Sequence, residues 1–259
     1  MEAVGGGSEG RDAFGIYRDG AGGVAGRTDG EKATNIIFGC VVRGSVEITE
    51  GTSNTYTGGI VGYEVKAGAQ ITDCDVYAAV KSAGERVGGI VGSNESTLKV
   101  SRCESSSTIK CSDNVGGVVG RAAGNIWTAD GMNYNNTIES CIAWFGNITA
   151  TRENEDGASS GIIVGFTGTR NTLRNCYRNP TTTLTANYCS DVYDQQNADD
   201  TMPLQVTGSD GHTFIYPYHG IAAQSSSATG AGPSASETAR SLGWSTDVWV
   251  LSGSEPYLK

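Results

Sequence analysis

Two carboxylates, Asp75 and Glu104, each follow directly after a cysteine in two copies of a recurring sequence phrase. If the copies stack, these side chains lie about 5 Å apart, the separation of the two carboxyl groups in a retaining glycosidase. Asp73 and Arg102 flank the pair, however, and no acidic cleft is evident around it. We therefore interpret Asp75 and Glu104 as part of a solvated face and predict no catalytic residue.

Other groups with metal-binding chemistry are few. Carboxylates in one segment could offer oxygen ligands for a weak Ca²⁺ site, although we interpret them as loop residues: Asp191, Asp194, Asp199 and Asp200. His212 and His219 flank an aromatic stretch, and no Cys or His stands at ligand spacing from them. The sequence contains no nucleophile elbow, nucleotide-binding loop or zinc signature. We predict no metal and no cofactor.

Binding chemistry is concentrated in two insertions, "GNIWTADGMNYNN" (124–136) and "TATRENEDGASS" (149–160). Long loops on a rigid scaffold are where binding residues are usually placed. Trp127 and Tyr134 are suited to stacking on sugar rings, and Asp130 and Asn133 to bonding sugar hydroxyls. These four residues form the predicted ligand site. The alternative is that Trp127 folds back onto the scaffold.

The scaffold that must position these residues is repetitive. A glycine phrase occurs five times, at 22–26, 58–62, 88–92, 116–120 and 161–165, and its closing glycines are spaced by 36, 30, 28 and 45 residues. Each phrase is followed by one cysteine, and an aliphatic residue stands three positions before that cysteine. The cysteines are Cys40, Cys74, Cys103, Cys141 and Cys176. A period in this range indicates a solenoid.

Each copy contains three short, β-branched apolar stretches, none long enough for a helix. The sequence therefore predicts an all-β fold, a right-handed three-sided parallel β-helix of about five coils with a mixed C-terminal cap. Stacked coils place equivalent residues above one another, so we expect the five cysteines to form a core column of reduced thiols. We also expect Cys111 to point inward.

Alternation along the glycine phrase predicts that Ile60, Ile90 and Val118 face the core and that Val61 and the residue after the phrase face outward. The phrase glycines are expected to allow a positive φ at a tight corner. On the surface, Asp73 should pair with Arg102, and Glu139 with Arg174, as exposed ion pairs between adjacent strands.

Composition agrees with this fold class. The 259-residue chain contains 38 glycines, about twice the usual share of roughly 7%. Its net charge of −10 disfavours nucleic acid and anionic membranes as partners, because both bind basic patches. No apolar run is long enough to span a membrane, and no apolar leader follows Met1. We expect the chain to begin inside a longer protein or to lack its leader.

The phrase GG(I/V)VG, followed by an aliphatic residue, two further residues and a cysteine, resembles the GLUG-type repeats of bacterial surface proteins over residues 22–176. The stretches "NCYRN", "YHGIAA" and "ARSLGWSTDVWVLSGSEPYLK" resemble the usual close of such arrays. The resemblance implies a secreted or outer-surface protein of a Bacteroidetes-like bacterium, without catalytic residues in the repeats. The fifth phrase has lost one glycine, and the fourth copy carries an insertion.

We divide the chain into an N-terminal partial coil or cap (1–21), β-helix repeats (22–180) and a C-terminal capping region (181–259). Within the last, residues 202–218 are predicted to form a hairpin and 236–243 a helix with Ser236 as its N-cap and Gly243 as its stop. Trp244, Trp249, Pro256 and Tyr257 are predicted to form a closing segment. We interpret its two tryptophans as core of the cap, the alternative being a ligand platform.

The predicted function is a non-catalytic, adhesin-like module that presents loops to a glycan or host surface protein. A polysaccharide-acting β-helix enzyme and a pure spacer are the alternatives.

Overall fold

The computed structural model describes residues 10–11, 17–29, 34–49, 55–65, 68–122, 135–144, 147–151, 160–167, 171–186, 205–207, 213–215, 218–224 and 232–259. Within them the fold is all-β, and successive repeats pair in parallel. The parallel solenoid predicted from the repeat is therefore confirmed at this level. In the described residues each repeat contributes to four parallel sheets, which we name sheets 1 to 4 in the order the chain visits them.

Sheets 1 and 2 are joined by the glycine phrase. Sheet 1 contains β1 (Gly10–Arg11), β2 (Tyr17–Gly22), β6 (Thr55–Gly58), β10 (Val87–Gly88), β15 (Val115–Gly116) and β20 (Ser160–Gly161), with β1 antiparallel to β2. Sheet 2 contains β3 (Ala25–Asp29), β7 (Val61–Val65), β11 (Val91–Asn94), β16 (Val119–Ala122) and β21 (Val164–Thr167), extended by an antiparallel hairpin of β25 (Gln205–Thr207) and β26 (Thr213–Ile215). The predicted hairpin is thus confirmed.

Sheets 3 and 4 meet at a corner, where the repeat cysteine of each copy lies between a strand of sheet 3 and a strand of sheet 4. Sheet 3 contains β4 (Asn35–Phe38), β8 (Ala69–Thr72), β12 (Leu98–Ser101), β17 (Thr137–Glu139) and β22 (Thr172–Arg174). Sheet 4 contains β5 (Val41–Ile48), β9 (Asp75–Ser82), β13 (Glu104–Ser105), β14 (Thr108–Cys111), β18 (Ile142–Ala143), β19 (Asn147–Ala150), β23 (Tyr177–Arg178), β24 (Thr183–Ala186) and β27 (Ile221–Ala222).

Because each described copy contributes strands to four sheets, the prediction of three strands per copy is wrong. The prediction treated the glycine phrase as one strand, whereas the phrase contains a turn between two strands. In the second copy β6 ends at Gly58, residues 59–60 turn, and β7 begins at Val61. Sheets 1 and 2 are consequently separate.

The expected reason for the phrase glycines is also wrong, because no described glycine of the five phrases has a positive φ. They are required because the neighbouring backbone lies too close for a side chain. A Cβ on Gly58 would lie 2.0 Å from the Val61 carbonyl oxygen, and one on Gly59 would lie 2.0 Å from that of Gly89. Sheets 1 and 2 therefore approach backbone to backbone.

This close approach also reverses the predicted faces of β7. Gly62 lies against sheet 1, where an added Cβ would be 2.5 Å from the Ala21 nitrogen. Val61 is on the opposite face and is fully buried in the main core, contrary to the expectation that it faces outward. Tyr63, also expected outside, is buried against Tyr56, with ring centroids 4.9 Å apart.

The core columns are otherwise as predicted. Ile60, Ile90 and Val118 are fully buried. The aliphatic residues before each cysteine are in register across sheet 3, with Ile37 beside Ile71, and Val100 between Ile71 and Ile138. Cysteines 74, 103, 141 and 176 are buried, as is Cys111, and Cys40 packs against the same core from a partly buried position.

A left-handed residue stands directly before each repeat cysteine. The residues are Gly39, Asp73, Arg102, Ser140 and Asn175, with φ between 51° and 66°. This turn aims each thiol at the carbonyl two residues earlier, as in the 3.4 Å contact from Cys74 to Thr72. Later thiols also approach a carbonyl of the preceding coil, such as Cys176 to Ile138 at 3.5 Å. All described cysteines are free thiols.

The predicted ion pairs form. Arg102 donates to both oxygens of Asp73, at 2.9 and 2.6 Å, and Arg174 donates to Glu139 at 2.5 Å. The first pair is not an exposed one, however, because the Asp73 side chain is buried. The reason is the C-terminal segment, which covers it.

Residues 218–223 add a partial rung to the last coil. Tyr218 accepts hydrogen bonds from the amides of Ile163 and Val164, and the Ile221 amide donates to the Cys176 carbonyl at 2.9 Å. Ile221 is also in parallel register with Tyr177. Within the described residues this short rung runs from a bridge between Tyr218 and Val164 of sheet 2 to sheet 4 and adds no strand to sheet 3, and Tyr218 packs against the main core.

The C-terminal segment, residues 232–259, contains α1 (Ala235–Ser241) and the antiparallel pair of β28 (Trp249–Val250) and β29 (Tyr257–Leu258). The helix begins two residues earlier than predicted. Ser234 is its N-cap, because Ser234 and Glu237 form a reciprocal capping box, and Ser236 is buried inside the helix. Gly243 follows the helix with a φ of +72°, as expected for a stop.

Candidate functional site

The predicted ligand residues Trp127, Asp130, Asn133 and Tyr134 lie outside the described residues. So do most of the second insertion, the loop acids at 191–200 and His212. Among the residues that are described, no cluster of three or more potential metal ligands occurs. No described helix is long and apolar enough to cross a membrane.

The candidate site lies on the outer face of sheet 4, where Asp75 and Glu104 are located. They are register partners on β9 and β13, as the stacking argument predicted. They are not on a solvated face, because their exposures are only 3% and 2%. The expectation of a solvated face is therefore wrong.

The C-terminal segment explains this burial, because it packs on the corner between sheets 3 and 4. The Trp249 indole nitrogen donates to Asp73 Oδ1 at 3.0 Å, and that of Trp244 to the Ser140 carbonyl at 3.0 Å. Ile142 of β18 and Trp144, which directly follows that strand, pack with both tryptophans in a second hydrophobic cluster. Trp244 and Trp249 are buried as predicted, and in the same segment Pro256 is buried and Tyr257 is half-exposed.

Beyond the edge of this segment, β5 and β9 present an ordered polar group. The Arg43 Nη2 atom donates to Asp75 Oδ2 at 2.7 Å, and the guanidinium carbon lies 5.7 Å from the centroid of the Tyr77 ring. Arg43 and Tyr77 are each about half-exposed, whereas Asp75 is buried. A buried carboxylate thus fixes an exposed guanidinium, which in turn lies beside an exposed aromatic ring.

Two effects act on the carboxyl groups of the pair. Burial raises the pKa of Asp75, an effect opposed by the hydrogen bond and charge of Arg43. Burial, followed by the negative charge of Asp75, raises the pKa of Glu104 well above its usual range. Ser106 donates to Glu104 Oε1 at 3.0 Å, but Glu104 Oε2 is buried without a hydrogen-bond partner. Glu255 adds further negative charge nearby.

Folding stability is expected to fall as pH rises because of this pair. A carboxyl whose pKa is higher in the folded state favours folding below its ordinary pKa, and this contribution is lost as pH rises through the raised value. We expect Glu104→Gln to flatten the decline in unfolding free energy above about pH 4.5, by about 1.4 kcal/mol per pH unit at most. Urea unfolding between pH 4.5 and 8 measures this slope of unfolding free energy against pH.

The matched control is Glu47→Gln, which removes the same charge from an exposed position on β5. It should leave the pH dependence of the wild type unchanged. Equal slopes for the wild type and Glu104→Gln would contradict the assigned role of Glu104.

Sequence reasoning identified Asp75, Glu104 and the column that contains them, but missed Arg43, Tyr77 and the covering segment. The sequence did contain a signal for the covering segment. The same outward column continues as Ile142 and Tyr177. Apolar residues on an outer face indicate that another part of the protein covers it.

Comparisons with known proteins show the fold alone. No protein-family profile matches the chain, and no curated protein sequence matches it. The structure is similar to the crystal structure of a "putative immunoglobulin A1 protease" from Bacteroides ovatus, with a TM-score of 0.58 and 19% sequence identity. The match covers 93% of this chain and 64% of the other, so this chain spans less than two thirds of that protein.

Proposed function

We propose that this chain is a non-catalytic binding module of a secreted or surface-attached bacterial protein, with a glycan or a host surface protein as its partner. The observation that carries the proposal is the fixed Asp75–Arg43–Tyr77 group on the outside of a parallel sheet. An exposed aromatic ring held beside an ordered guanidinium is suited to stacking on a sugar and bonding its hydroxyls.

Burial of the carboxylate pair favours binding over catalysis. Asp75 and Glu104 are adjacent in register, and Glu104 has the raised pKa that the general acid of a glycosidase requires. A polysaccharide cannot reach them, however, while the C-terminal segment lies over them. The enzyme alternative therefore requires that segment to leave.

The GLUG-type assignment, the right-handed winding and the count of five coils belong to the same proposal. The parallel pairing of successive repeats and the likeness to a protein from Bacteroides support it. The predicted loop site around Trp127 remains a second part of the binding surface under this proposal.

Glycan array screening tests the proposed function. We expect the wild-type protein to bind a subset of glycans and Tyr77→Ala to weaken that binding about tenfold, because stacked aromatic residues dominate such contacts. Tyr257→Ala, which truncates an equally exposed tyrosine on the C-terminal segment, is the matched control and should bind normally. Trp127→Ala tests the loop separately.

Two outcomes would contradict the proposal. Failure to bind any glycan or host surface protein would favour a spacer. Release of reducing sugar from a polysaccharide, abolished by Asp75→Asn or Glu104→Gln, would favour the enzyme.

A further inference from the structure

The outer face of sheet 4 carries two lysines in direct register. Lys81 on β9 is opposite Lys110 on β14, in adjacent parallel strands about 4.8 Å apart. Burial alternates along β9 and β14, with Val80 and Ile109 in the core, so both lysines point outward. They extend the face that begins with Arg43 and Tyr77.

Neither lysine forms an ion pair with any residue that the structure describes. Glu47 is the register partner of Lys81 on the other side, on β5, yet it does not neutralise that ammonium group through an ion pair. The outer positions of this face thus carry three cations, Arg43, Lys81 and Lys110, beside two carboxylates, Asp75 and Glu47, in a chain whose net charge is −10.

Like charges directly opposite each other on neighbouring strands are destabilising. Lys99, on the outer face of sheet 3, has the uncharged register partners Gln70 and Thr137 and contacts Glu139 at 3.4 Å. Lys81 and Lys110 instead face each other, with Glu47 only on the far side of Lys81, and an anionic ligand bound between the lysines would offset their repulsion.

The surroundings of the lysines favour an extended sugar chain over a small anion. Tyr77 is two residues before Ala79 and four before Lys81 on the same strand face. Thr108 and Asn147 are exposed on the following strands, and Thr183 donates to the Asn147 side-chain oxygen at 2.7 Å. A ring-stacking residue, two cations and a row of hydroxyl and amide groups thus share one face.

We propose that this face, comprising Arg43, Tyr77, Lys81, Lys110 and Asn147, binds a linear acidic polysaccharide whose carboxylate or sulfate groups contact Lys81 and Lys110. The proposal rests on the proposed binding function and names its ligand class. The sugar rings lie along the strands' outer surface, with one ring stacked on Tyr77.

Binding to immobilised polygalacturonate, heparin and neutral dextran tests the proposal. We expect the wild-type protein to bind polygalacturonate or heparin, but not dextran, and to bind more weakly as salt rises. The preferred polymer distinguishes a carboxylate from a sulfate ligand. Lys81→Gln/Lys110→Gln should weaken this binding about tenfold or more.

The matched control is Lys99→Gln/Arg240→Gln, which removes two exposed positive charges from elsewhere on the protein and should retain wild-type affinity. Urea unfolding should show that Lys81→Gln/Lys110→Gln is close to the wild type in stability, since the lost Lys81–Lys110 repulsion and the lost Glu47–Lys81 attraction oppose each other. This separates lost binding from lost folding.

Equal loss of affinity in both double variants, or no loss in either, would overturn the assignment to this face. Binding of neutral glycans or host glycoproteins alone would overturn the acidic ligand class and leave the proposed binding function intact. Absence of binding to any glycan or protein would overturn both.

Discussion

Replacing Gly88 with alanine is expected to destabilise the protein by about 3 kcal/mol or more. The added Cβ would lie 1.9 Å from the Val91 carbonyl oxygen and 2.6 Å from the Gly120 nitrogen. Both atoms belong to the backbone, so no side chain can rotate away to make room. Sheets 1 and 2 would have to separate at the centre of the stack, where β10 and β11 pair on both sides. Urea unfolding gives the change in free energy.

Gly232→Ala is the matched control, because nothing lies within 4 Å of the added Cβ at that position. It should change the unfolding free energy by less than about 0.5 kcal/mol. If Gly88→Ala unfolds at the same urea concentration as Gly232→Ala, the close approach of the two sheets is not what requires glycine there.

Replacing Trp249 with alanine is expected to cost about 3–5 kcal/mol of the free energy that holds the C-terminal segment in place. The side chain is fully buried, its ring centroid is 4.6 Å from that of Trp244, and its indole nitrogen donates to Asp73. Truncation leaves a cavity in the second cluster and deprives a buried carboxylate of a donor. Limited proteolysis should release the segment from the variant at protease concentrations that leave the wild type intact.

Trp249→Phe separates the two contributions, because it retains much of the packing and loses the hydrogen bond. We expect a loss of about 1–3 kcal/mol. Tyr257→Ala, on the same segment but half-exposed, should have little effect. Equal protection of all three variants would show that Trp249 does not anchor the segment.

Much of the fold could be predicted because stacking forces equivalent residues to share one environment. The aliphatic and cysteine columns were recognisable for this reason, and so were the pairs Asp73–Arg102 and Glu139–Arg174. The glycine phrase was misinterpreted because a turn between two close sheets and a single strand have the same composition. Only the distances at Gly58 and Gly59 distinguish them.

The left-handed corners were missed for a different reason. Their residues are Gly, Asp, Arg, Ser and Asn, and this mixture does not indicate a single backbone conformation. The docking of the C-terminal segment on the corner between sheets 3 and 4 was missed because Trp249 contacts Asp73 from 176 residues away, outside any repeat. Periodicity predicts contacts between copies and gives no information on where a non-repeating segment docks.

The row of thiols has a consequence for the chemistry of the protein. Burial raises the pKa of Cys103 and Cys141 well above the usual range of a thiol, and the pKa values of Cys40, Cys74 and Cys111 are also raised. Electrophiles and peroxides react with the thiolate, which is almost absent in such surroundings. The buried thiols Cys103 and Cys141 are therefore expected to react slowly with electrophiles and peroxides while the coils remain folded.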